Sequence, residues 1–136
     1  MLRRLLRGRR PVDELGLREG GRFRPCSRDN HACSQSDDPR YRVEPIAFLE
    51  GEDGDATRAR LLDVIGRWPR ARVVTAEGDY LHVEDRTFVG FVDDLELHVN
   101  RELRVVEVHS ASRLGHSDLG CNRKRVERLR EGMRSA

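Results

Sequence analysis

Between Val73 and Val108 the apolar residues recur at every second position in four short runs, a period of two that specifies half-buried strands and rules out an amphipathic helix there. The runs hold Val73 and Thr75, then Leu81 and Val83, then Val89, Phe91, Leu95, Leu97 and Val99, then Val106 and Val108. Glu77-Gly78-Asp79, Arg86-Thr87-Phe88 and Asn100-Arg101 separate them as turns, so the four strands read as an antiparallel meander. Pairing Leu95 with Val106 and Val83 with Phe91 gathers Leu81, Val83, Phe91, Leu95, Leu97, Val106 and Val108 on one face.

Two helical patterns flank the meander. Asp55 is the expected N-cap of the first, which carries Leu61, Leu62, Ile65 and Trp68 on one side and stops at Pro69. The second starts near Ser117 or Asp118 and carries Leu119, Val126, Leu129 and Met133 at helical spacing. Each has a single apolar stripe, so both belong on the same side of the sheet. Tyr41, Val43 and the run from Ile46 to Leu49 predict an edge strand broken at Pro45, and residues 25–39 an ordered loop. The expected fold is α+β: an antiparallel sheet of four or five strands with two helices packed on one face.

The 136 residues hold one core, assigned to a single domain over residues 25–136. Residues 1–24 are rich in Arg and Gly without a sustained period and read as a mobile Arg-rich arm. Lys+Arg 26 against Asp+Glu 24 leaves a net charge of +2, so no global field draws a polyanion, and nucleic acid is not an expected partner apart from that arm. No run approaches the roughly 20 apolar residues of a transmembrane segment, and a cytoplasmic location is the expectation. Cys26, Cys33 and Cys121 contain no C-x-x-C element and are expected as free thiols.

The strand alternation turns Asp93 toward the core, and Asn122 interrupts the apolar stripe of the last helix. A buried polar cluster of Asp93, Ser110, Ser112 and Asn122 follows, with Arg113 and Arg123 as the compensating charges. Such a cluster can pin the segment over residues 113–118. Alternatively, with Ser117 and the helix N-terminus, it can receive a small anionic ligand. Cys121 in the first helical turn, with His116 near it in sequence, offers a weaker nucleophile candidate, against the alternative of a small residue packed at a helix start.

The opposite face displays His82, Glu84, Asp94, Glu96, His98, Glu107 and His109 and reads as a solvated charged surface. In this register His82 and His109 flank Val92, roughly 9 to 10 Å apart, too far for Zn–N bonds of about 2 Å, so no metal site is expected. No G-x-G-x-x-G or G-K-[ST] run exists, and no cofactor is expected.

Gly90-Phe91-Val92-Asp93-Asp94-Leu95-Glu96, followed by Ser110-Ala111-Ser112-Arg113-Leu114-Gly115-His116-Ser117-Asp118-Leu119-Gly120-Cys121-Asn122-Arg123-Lys124-Arg125-Val126-Glu127, closely resembles the family called domain of unknown function 1499. Asp38-Pro39-Arg40-Tyr41, Pro45-Ile46 and Gly78-Asp79-Tyr80-Leu81-His82 extend the resemblance over most of the chain. Around Cys33 the match to the family's Asn-Cys-Val-Ser-Ser motif is looser, since His31 and Ala32 intervene after Asn30; His109 stands where members often carry arginine. The resemblance implies no reaction, cofactor or substrate. The function expected is a non-catalytic binding or accessory module for a small anionic ligand or a protein partner. The alternative is a small hydrolase or transferase using the polar site at the start of the last helix.

Overall fold

The computed structural model describes residues 15–26, 31–113 and 120–135. A six-stranded antiparallel sheet is formed by β1 (His31–Cys33), β2 (Ile46–Ala47), β3 (Ala71–Glu77), β4 (Tyr80–Arg86), β5 (Val92–Asn100) and β6 (Val105–Ser112). The order is β1-β6-β5-β4-β3, and β2 also pairs with β6. Two helices, α1 (Gly54–Gly66) and α2 (Cys121–Ser135), complete the α+β arrangement.

The core lies between helices and sheet. Leu61, Val64 and Ile65 of α1 and Val126, Leu129 and Met133 of α2 pack on Leu81, Val83, Leu95, Leu97, Val99, Val106 and Val108. Thus both apolar stripes are buried on one face, as the sequence pattern requires. The N-cap of α1 is Asp53, whose carboxylate accepts from the Ala56 amide at 2.8 Å. Asp55, the expected cap, falls in the first turn and pairs with Arg101 at 2.6 Å.

Strand register departs from the expectation by four residues on both sides of β5. Leu95 pairs with Ser110 and Val83 pairs with Leu95. The cause is turn length: residues 101–104 form the β5–β6 connection, and residues 87–91 the β4–β5 loop, closed by the Thr87 amide donating to the Phe91 carbonyl. An even slip preserves the faces, so the apolar set stays in the core. Phe91 alone leaves it and is partly exposed at the end of the loop, beside exposed Phe88 and Val89.

Residues 15–24, expected within a solvated arm, lie against the second face of the sheet. Phe23 is 5% exposed with its ring 5.8 Å from that of His109, and the Gly16 amide donates to Glu96 at 2.8 Å. The polar contacts run through backbone groups, the Gly16 amide to Glu96 and the Phe23 amide and Gly21 carbonyl to the Gln35 side chain, which leaves no apolar period in the sequence. Residues 1–14 lie outside the described residues.

The two helices meet at Gly132, where an added Cβ would sit 2.6 Å from Cγ1 of Val64. Gly132→Ala gains helix propensity of up to about 1 kcal/mol, yet it drives a methyl into a stiff β-branched side chain. We expect it to lower the urea midpoint, and Val64→Ala in the same chain to cost less than it does in the parent protein. Additive costs in a double-mutant cycle would show that the helices do not touch there.

Candidate functional site

Two like-charged pairs face each other across β4 and β5. Asp85 is opposite Asp93 on the helix side of the sheet, and Glu84 is opposite Asp94 on the other. Directly opposed carboxylates repel, so each pair needs a cation between its members. On the helix side Arg125 supplies it, donating from Nε to Asp85 at 2.8 Å and from a terminal nitrogen to Asp93 at 2.6 Å. On the other side Arg113 donates to Asp94 through two nitrogens at 2.8 Å and reaches Glu84 as well.

The cluster read from the sequence is assembled around Arg125. Ser110 donates to Asn122 Oδ1 at 2.6 Å, Asn122 Nδ2 donates to Ser112 at 2.9 Å, and Arg125 donates to both Ser110 and Asn122. Asp93 is 2% exposed, and burial pushes its carboxyl above the usual range against the pull of Arg125 and Ser112. Neither arginine assigned to this cluster belongs to it. Arg113 faces the other side, and Arg123 donates to the carbonyls of Arg40 and Arg42, tying α2 to the segment before β2. Cys121 is a partly buried free thiol 4.0 Å from Asp93. Ser117 and His116 lie outside the described residues.

The face expected to be solvated is a second, polar interior. His82, Asp94, Glu96 and His109 are all buried. His82 Nε2 donates to Asp94 at 2.7 Å, and Tyr80 donates to Glu96 at 2.6 Å. Burial opposes the charge on Asp94, but hydrogen bonds from Arg113 and His82 outweigh it and hold that carboxyl well below the usual range. Burial raises Glu96, and burial together with the Glu96 hydrogen bond raises Tyr80. With the observed register His82 and His109 flank Glu96, not Val92.

At the edge of this face β1 pairs with β6, setting Cys33 opposite His109 and His31 opposite Ala111. Strand alternation therefore directs His31, Cys33 and His109 to one side. Cys26 joins them through a disulfide to Cys33, which corrects the expectation of free thiols at both positions. One ligand atom from each of Cys26, His31, Cys33 and His109 lies within 4.8 Å of all the others. Sequence reading missed the group because a three-residue strand bearing one histidine and one cysteine carries no recognisable motif, and only its pairing with β6 brings His109 to it.

Among the described residues, a cleft between the β4–β5 loop and α2 is lined by Arg70, Arg86, Lys124, Arg125, Arg128 and Cys121, with Asp85 its one acidic wall. Asp85 is already bound by Arg125 and Arg128. Arg128 also stacks over the Trp68 ring at 3.8 Å, which fixes its guanidinium at the rim.

Removing Arg125 takes the cation from Asp93 and leaves Asp85 to Arg128, and removing Arg113 leaves Asp94 to His82 and Glu84 to Arg72. Arg125→Met and Arg113→Met are each expected to cost about 3–5 kcal/mol in urea denaturation. Asp93→Ala and Asp94→Ala should both lose about 2–4 kcal/mol, since both carboxylates are enclosed and paired. A midpoint for Asp94→Ala equal to that of the parent protein would contradict the buried second face. Because the folded-state pKa of Asp94 is depressed, its contribution is full above the unfolded value of about 3.9 and is lost as pH falls below it. Asp94→Asn should therefore lose less stability than the parent between about pH 4 and pH 2, measured by urea midpoints at each pH.

No curated protein and no solved structure matches the chain. The family model described as "Protein of unknown function (DUF1499)" matches residues 22–133, which takes in all six strands of the sheet, α1, and α2 except its last two residues. The chain thus belongs to the DUF1499 family.

Proposed function

We propose that this protein is a non-catalytic binding module that takes an anionic group in the cleft between the β4–β5 loop and α2. The observation that carries the reading is the charge of that cleft. Arg70, Arg86, Lys124, Arg125 and Arg128 line it against one carboxylate, and that carboxylate is already neutralised. Among the described residues the side chains of Arg86 and Lys124 take no ion-pair partner, so their charge is available to a ligand. Exposed Phe88, at the cleft wall, adds an apolar contact for the body of such a ligand.

A hydrolase or transferase would need a reactive carboxylate, histidine or cysteine open to solvent. Asp93 and Asn122 are enclosed and committed to Arg125, which favours binding over catalysis. Among the described residues no helix is long and apolar enough to cross a membrane. The cytoplasmic location suggested by the sequence suits a reduced Cys26 and Cys33, whereas the disulfide suits an oxidising compartment. Alkylating the thiols at the moment of cell lysis and counting them by mass would separate the two.

The cleft is tested by titrating the protein with inorganic pyrophosphate and following backbone amide shifts. Saturable shifts at Thr87 and residues 121–125, lost in the Arg86→Glu/Lys124→Glu variant and weakened by salt, are the expected result. Absence of any saturable shift, or shifts indifferent to the double charge reversal, would refute the reading.

A further inference from the structure

We propose that Cys26, His31, Cys33 and His109 form a tetrahedral site for one zinc-class divalent ion when the two cysteines are reduced. The disulfide and the metal are then alternative states of the same four residues. The placement comes from the fold: β1 and β6 are in register at Cys33 and His109, and His31 follows the same side two residues away. Around a tetrahedral zinc with two sulfur and two nitrogen ligands, neighbouring ligand atoms stand roughly 3.3 to 3.8 Å apart. The four atoms here already lie within 4.8 Å of one another, so sulfur separation and side-chain shifts of about an ångström complete the geometry.

His109 points to a ligand independently of that spacing. It is 1% exposed, and among the described residues neither ring nitrogen has a hydrogen-bond partner, although an unsatisfied buried polar atom costs about 1–3 kcal/mol. Its Nδ1 lies 4.0 Å from Glu96 Oε1, beyond hydrogen-bond distance. Cys26 and His31 are partly exposed and give the ion its entry.

Charge and softness select the ion. Two thiolates cancel the 2+ of the metal, so the assembly is neutral beside Arg24, where a bare hard cation would be repelled. Loading from the oxidised state is balanced by a dithiol reductant. It donates two electrons and two protons to the Cys26–Cys33 bond, leaving two thiols and its own disulfide. Binding of the ion then releases the two thiol protons to water while the histidines supply lone pairs.

Cobalt(II) is the probe, added to the full chain under anaerobic conditions after reduction by dithiothreitol and removal of the reductant. We expect about one cobalt per chain with the intense visible bands of a tetrahedral site and a near-ultraviolet thiolate charge-transfer band, both bleached by zinc, and below about a tenth of that in the oxidised protein. Cys121→Ser should bind as the parent does. Cys33→Ser and His109→Gln should lose the tetrahedral spectrum, with circular dichroism showing that they are folded. If neither variant folds, the reduced and oxidised forms of the parent still decide the matter. Reduced parent protein that binds no cobalt, or binds it without tetrahedral or thiolate bands, overturns the proposal. So does a folded His109→Gln or Cys33→Ser variant with the parent spectrum.

Discussion

Arg125 is the residue on which the sheet and the last helix both depend. It leaves α2 among apolar neighbours and donates to Asp85, Asp93, Ser110 and Asn122, and in doing so it joins three strands to the helix. Arg113 performs the same office for Glu84 and Asp94 on the reverse side, so one pair of neighbouring strands has its acids clamped front and back. Burying so much charge is costly, and its gain is orientation. A helix anchored only by Val126, Leu129 and Met133 could slide along the sheet, whereas one held by a guanidinium fork between two carboxylates has a single position.

That anchoring sets the walls of the cationic cleft. With Asp85 engaged from within by Arg125 and from the rim by Arg128, the remaining cations stand over a carboxylate that no longer offsets them. The same economy holds at the other end of the sheet, where Glu96 receives Tyr80 and the Gly16 amide yet turns one oxygen toward His109. The residues that stabilise this fold and those offered to ligands are neighbours in the same networks.

Much of this arrangement was legible in the sequence because it follows from periodicity. The period of two placed Asp93, Ser110 and Ser112 on the helix side, and the helical stripe placed Asn122 among them, where Asn122 joins Ser110 to Ser112. Register was less legible, since turn length sets it and two of the loops are longer than their turn residues suggest. The even slip left the faces intact but moved the neighbours of Asp93 to Asp85 and Ser112. Arg125 escaped notice because a long cation next to an apolar stripe is ordinarily solvated. The polar second face escaped for the opposite reason: its cover, residues 15–24, binds through backbone groups and the lone Phe23 ring, which leave no period in the side-chain pattern.

Sheet order also carries a consequence for the sequence of events as the chain is made. Strands β1 and β2 both pair with β6, so the ladders of both wait on residues made much later in the chain. Between those times the β3–β4–β5 hairpins and α1 can associate locally, whereas closure of the far edge depends on contacts separated by some of the longest intervals in the chain. During that wait Cys26 and Cys33, close in sequence, meet each other before either can meet His109. The first chemical choice open to the pair thus precedes closure of that edge.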